Sequence, residues 1–212
     1  MAAAVREMVV EGRWRLRVLE RSARFFDVRQ LLLRYKARVL SYFEYRTPAV
    51  YHATDTVLEP LDKLQQNFLD RVGVSQVEAL VEFRLAPLSC RRDMAMLGVL
   101  HRAALKEGPE HFFSFFYPSE ADARRNTRWE SRRHKFPLVE YRQGRFLEVL
   151  RRSALGLVSV YNRLPAEIVA AKTVKEFQRQ LQDLLTARAM AGKQDWTDTF
   201  SPRVPLWRHP LN

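Results

Sequence analysis

Arginine spacing carries the chemistry that can be read from this sequence. Arg13, Arg17, Arg21 and Arg24 fall at i, i+4, i+8 and i+11. A helix through them presents one cationic stripe, with Trp14, Val18 and Phe25 beside it. A guanidinium forks onto phosphate oxygens through two parallel hydrogen bonds. A row of them can follow a nucleic-acid strand and release its counterions. The competing reading is a solvated outer face partly neutralised by Glu11 and Glu20. A second cluster comprises Arg124, Arg125, Arg128, Arg132, Arg133, His134 and Lys135, interleaved with Trp129 and Phe136. Cations around aromatic rings can hold a backbone while a ring stacks on a base. In a helix, Arg125, Arg128 and Arg132 would share a face. A solvated loop or a nuclear-import signal would use the same residue types.

Catalytic constellations are missing. The seven glycines are scattered singly, so no glycine-rich phosphate loop is present. The lone cysteine, Cys90, cannot build a Cys-x-x-Cys zinc site. Its neighbours Arg91 and Arg92 would lower the pKa of an exposed thiol, whereas a structural thiol needs no such help. His52, His101, His111, His134 and His209 form no i, i+4 pair, and His101 reads as a hydrogen-bonded core histidine. No two Asp are adjacent, and clustered carboxylates are what two-metal polynucleotide chemistry requires. The expectation is therefore no catalytic residue, no metal and no cofactor. Phe112, Phe113, Phe115 and Phe116 read as core packing or a partner surface.

The whole chain has the same electrostatic character. Its 212 residues carry 29 Arg and 7 Lys against 24 acidic side chains, a formal charge of +12. Such a balance favours a polyanionic partner, nucleic acid or an anionic membrane. No apolar run approaches the ~20 residues needed to cross a bilayer, and Arg6 and Glu7 interrupt the start, unlike a secretory signal. One cysteine implies a reducing, nuclear or cytoplasmic setting.

Helices must position these groups, since glycine is used at about half its usual frequency. The first helix runs through Gly12 to Arg24. Asp27 with Gln30 opens a second, to about Tyr45, with Pro48 ending or kinking it. A third runs from about Glu59 to Val72, with Pro60 in its first turn and Gly73 at its end. Ser75 with Glu78 caps a short helix, and a longer one runs from Ser89 to about Lys106. From Glu120 to Arg152 ten basic and five acidic residues give a basic insertion. Order returns from Arg145 to about Tyr161, and Thr173 with Glu176 opens a helix to about Arg188. The tail from Gly192 has three prolines and no periodicity, so it reads as draped over the surface or disordered.

Taken in order, four segments resemble a known family. Residues 33–51 (LRYKARVLSYFEYRTPAVY) look like the helix that follows the polymerase core in non-LTR, jockey-like retrotransposon reverse transcriptases. Residues 61–69 (LDKLQQNFL) are similar to that family's leucine-acid-x-leucine-glutamine helix. Residues 85–102 (LAPLSCRRDMAMLGVLHR) match its leucine-x-x-leucine-x-x-arginine-arginine helix. Residues 161–181 (YNRLPAEIVAAKTVKEFQRQL) look like its closing segment, with Tyr161 in place of the usual tryptophan. The resemblance covers roughly residues 12 to 188. It implies a thumb and helical connector lying C-terminal to the palm. The palm's Asp-Asp motif is absent, as are endonuclease, ribonuclease H and zinc-knuckle signatures, so this chain should not polymerise DNA alone. The family's thumb packs on the template–primer duplex, a role that the first arginine stripe would fill.

The expectation is an all-α bundle of about six to seven helices with a basic irregular insertion and an irregular C-terminal tail. It divides into a thumb-like region 1–73, a connector-like region 74–190 with the insertion at 120–145, and the tail 191–212. The expected function is sequence-independent binding of RNA or an RNA/DNA duplex, next to the polymerase domain of a longer chain. Arg13, Arg17, Arg21 and Arg24 would grip one strand. Arg125, Arg128, Arg132, Arg133 and Lys135 would extend the contact, with Trp129 as a stacking ring. The alternatives are a helical protein–protein adaptor using Phe112 to Phe116 or the Trp-bearing tail, a degenerate retroelement relic without activity, and an enzyme with an unrecognised site.

Overall fold

A computed structural model describes residues 1–117, 134, 137–140 and 147–211, without the Phe113 side chain. The chain is all-α. Eleven α-helical segments lie among the described residues, more than the six or seven expected. They are α1 (Ala2–Arg21), α2 (Val28–Tyr35), α3 (Ser41–Val50), α4 (Asp55–Val72), α5 (Gln76–Val81), α6 (Leu88–Ala104), α7 (Glu110–Phe113), α8 (Leu147–Arg151), α9 (Leu157–Tyr161), α10 (Ala166–Val169) and α11 (Val174–Met190). Among the described residues no helix is long and apolar enough to cross a membrane.

Local chemistry sets the boundaries. Asp27 accepts a hydrogen bond from the Gln30 amide at 2.7 Å and opens α2. One wide, π-type turn at Lys36–Leu40 joins α2 to α3, so the chain is helical from Val28 to Val50. Pro48 lies inside α3, two residues before its last residue, Val50. Pro60 is the sixth residue of α4, beyond the first turn where it was expected. Gly73 closes α4 at φ 71°, a left-handed conformation that glycine adopts without a Cβ clash. Ser75 and Glu78 form a reciprocal capping box on α5, and Thr173 caps α11 at the Glu176 amide.

The helices enclose two apolar clusters. The first is built by α1 to α4. Along α1, Val5, Met8, Val9, Gly12, Leu16 and Leu19 are buried, a stripe of helical period facing inward. Tyr35 of α2 stacks on Phe68 of α4, ring centroids 4.7 Å apart. The Tyr35 hydroxyl donates to Gln65 Oε1 at 3.3 Å, and Gln65 Nε2 donates to the Ala86 carbonyl at 3.0 Å. The second cluster centres on α6, which is buried nearly all round, against α9 and α11. His101 stacks on Phe177 at 4.1 Å, while its ring nitrogens meet the Tyr161 hydroxyl at 3.1 Å and the Ala171 carbonyl at 2.9 Å. It is a satisfied core histidine. The Asn162 amide pins residue 138, accepting from the Leu138 N–H at 2.9 Å and donating to its carbonyl at 2.8 Å.

Two longer segments also depart from expectation. The order expected from Arg145 to about Tyr161 takes, from residue 147 on, the form of two short helices, and the chain turns between them so tightly at Gly156 that a Cβ there would lie 2.5 Å from the Arg151 carbonyl oxygen. The tail is not a loose drape. Trp196 and Phe200 are buried in the second cluster, and Arg203 donates to the Tyr51 and Ala53 carbonyls at 3.0 Å each.

Gly12 sets how closely α1 approaches its neighbours. A Cβ there would lie 2.5 Å from Phe43 Cζ and 3.2 Å from Leu64 Cδ1, both on buried side chains. Gly12→Val should therefore lower stability by roughly 1–3 kcal/mol through overpacking, read as a lower thermal midpoint by circular dichroism. An unchanged midpoint would mean that α1 is not seated this tightly.

Candidate nucleic-acid interface

With Val5, Met8, Gly12, Leu16 and Leu19 turned inward, the opposite face of α1 meets solvent. Arg6, Arg13, Arg17 and Arg21 are exposed on it. At 3.6 residues per turn, Arg13, Arg17 and Arg21 span about 80° of arc and about 12 Å of length. They form a row along one flank. Arg6 continues the row one heptad before Arg13; the sequence reading missed it by starting the helix at Gly12, and the seven-residue spacing was the available signal.

Neutralisation of this row depends on three glutamates of α1, and all three are engaged elsewhere. Glu7 pairs with Arg46 of α3 at 3.5 Å. Glu11 pairs with Arg15 at 2.7 Å, and Arg15 also donates to the Arg38 carbonyl at 2.8 Å and lies over the Tyr42 ring at 4.4 Å. Glu20 pairs with Arg71 of α4. Arg13, Arg17 and Arg21 have no carboxylate within ion-pairing distance among the described residues. Arg13, Arg17 and Arg71 line a groove of about 260 Å³ between α1 and α4, with Asn67 and Glu20 in its wall. An anion in that groove would meet the guanidinium groups of Arg13 and Arg17, beside an Arg71 already held by Glu20.

Arg24 leaves the helix. It lies in a single 3₁₀ turn, Ala23–Phe25, with its guanidinium 4.7 Å from the centroid of the Phe25 ring. The structure thus brings Arg13, Arg17 and Arg21 together and puts Arg24 just past their end. Arg125, Arg128, Trp129, Arg132, Arg133 and Lys135 lie outside the described residues. His134, within that cluster by sequence, is buried, with Nε2 3.0 Å from the Tyr161 carbonyl oxygen and its ring edge-on to Tyr161. Of the phenylalanine run, Phe116 is buried and Phe115 exposed.

A cleft of about 880 Å³ lies between α4, α6 and the tail, lined by Asp55, Asp62, Arg92, Asp93, Asp198 and Arg203 among others. Most of its carboxylates hold a cation. Arg92 forks onto Asp62 at 2.7 and 2.8 Å, and Arg203 pairs with Asp55. Among the described residues no three His, Cys, Asp or Glu side chains are grouped to hold a metal ion. Burial pushes the Cys90 thiol up, overriding Arg92; its Sγ lies 3.1 Å from the Thr197 carbonyl oxygen. Asp93 is buried and accepts from the Tyr51 hydroxyl at 2.7 Å. Desolvation raises its pKa to about 7, against the pull of Tyr51 and Arg92.

No protein-family model, curated protein or solved structure matches the chain.

Asp93 holds its proton more tightly folded than unfolded. Its stabilising contribution is complete below the ordinary carboxylate range and is lost as pH rises through about 7. Asp93→Asn removes this dependence. Between pH 5 and pH 8 the variant should gain about 2–3 kcal/mol on the wild type in urea unfolding. A gap independent of pH would show that this carboxyl is not buried as described.

Proposed function

We propose that this chain is a non-catalytic helical module that grips the backbone of RNA or an RNA/DNA template–primer without reading its sequence. We place it as the C-terminal, thumb-and-connector portion of a non-LTR retrotransposon RNA-directed DNA polymerase. One observation carries the binding reading: three exposed guanidinium groups stand in a row on α1 while the helix's own glutamates are engaged by Arg46, Arg15 and Arg71. Cations in a row with no carboxylate partner among the described residues favour a polyanion with repeating charge, and phosphate contacts fix position without carrying sequence information. The family reading rests on the order of four motifs. One of them contains Arg92, whose fork onto Asp62 ties α6 to α4, so that arginine is structural.

The double variant Arg17→Glu with Arg21→Glu tests the function. Both side chains are exposed, so the fold should be retained, with an unchanged circular dichroism spectrum. Binding to RNAs of unrelated sequence should weaken by the same factor, at least about tenfold at low salt. Loss on one sequence only, or no loss, would contradict backbone gripping.

A further inference from the structure

Trp14 is 61 % exposed at the centre of α1, with Val10 67 % exposed one turn before it and Val18 39 % exposed one turn after. Each is followed three residues later by an arginine of the row: Val10 by Arg13, Trp14 by Arg17, Val18 by Arg21. The two rows are therefore parallel, apolar beside cationic, about 60° apart around the helix. Among the described residues no ring or cation covers the indole, unlike Phe25, which Arg24 covers.

The flanks of the apolar row differ in charge. Arginines line one side; on the other, Glu7 and Glu11 are paired with Arg46 and Arg15, which leaves that flank near neutral. A flat anionic surface would press on both flanks and gain from one only. A single strand can lie along one flank only and turn its bases across the helix. A duplex offers phosphates to the arginines, but its base faces are already stacked and give the indole nothing to cover.

We infer that α1 recognises single-stranded nucleic acid, with phosphates along Arg13, Arg17 and Arg21 and an unpaired base stacked on Trp14. This rests on the backbone-gripping function and adds the preference for unpaired nucleotides. Stacking on an aromatic side chain is tolerant of sequence, because every base has a π-face.

The test uses the full chain and a short labelled RNA of mixed sequence, alone and annealed to its DNA complement, at one salt concentration. Wild type should bind the single strand at least about fivefold more tightly than the duplex. Trp14→Ala should abolish that preference, while Trp14→Phe retains part of it. Equal binding of both forms, unaffected by Trp14→Ala, overturns the inference and leaves backbone gripping standing. Binding of neither form overturns both. Trp14-dependent binding to phosphatidylserine vesicles in the absence of RNA binding assigns the face to membrane and also overturns both.

Discussion

At Gly12 the α1 backbone lies so close to the Phe43 ring that no side chain fits between them. This contact fixes both the depth and the rotation of α1. The buried stripe from Val5 to Leu19 then has one orientation, and the arginines on the opposite face have one as well. Interiors are packed too densely for the helix to roll without opening voids against Leu64 and Phe68. The cationic row is thus held by a core. Lysines or arginines on a mobile loop would have to be ordered at binding, at an entropic cost.

Electrostatics divides the molecule in two. Around the tail cleft, arginines and carboxylates consume one another: Arg92 with Asp62, Arg203 with Asp55, Arg188 with Asp195. The first two join segments 30 and 148 positions apart, the third ties the end of α11 to the start of the tail, and all three serve the fold. Along α1 the arrangement is reversed. Its glutamates reach sideways to Arg46 and Arg71 on the neighbouring helices, and Glu11 reaches Arg15 on the flank facing α3. Among the described residues, the same contacts that tie α1 to its neighbours leave its outward arginines uncompensated, so cohesion and charge display come from one set of interactions.

What the sequence made legible was local. Asp27, Gly73, Ser75 with Glu78, and Thr173 act within a few residues of themselves, and each closes or opens a helix where its chemistry demands. The arginine spacing was legible for the same reason, since a helix converts i, i+4 into a face. The tail was not, because its order comes from Arg203 reaching Asp55, 148 positions away, and from Trp196 and Phe200 entering a core built by other segments. The engagement of Glu20 was equally hidden: its partner Arg71 lies 51 residues on. Arg6 was overlooked because the helix begins ten residues before the expected start. Pro48 stands two residues before the end of α3, where a helix anchored by Phe43 and Val50 tolerates one missing amide.

The central claim is that a rigid row of guanidinium groups displaces counterions from a polyphosphate. Its most direct test is the dependence of affinity on salt. For single-stranded RNA titrated over a range of monovalent salt, the plot of log K against log salt should be linear, with a slope of about −2 to −3 for three or four phosphate contacts. A slope near zero would show that no phosphates are neutralised, and the row on α1 would then be an exposed face without that role.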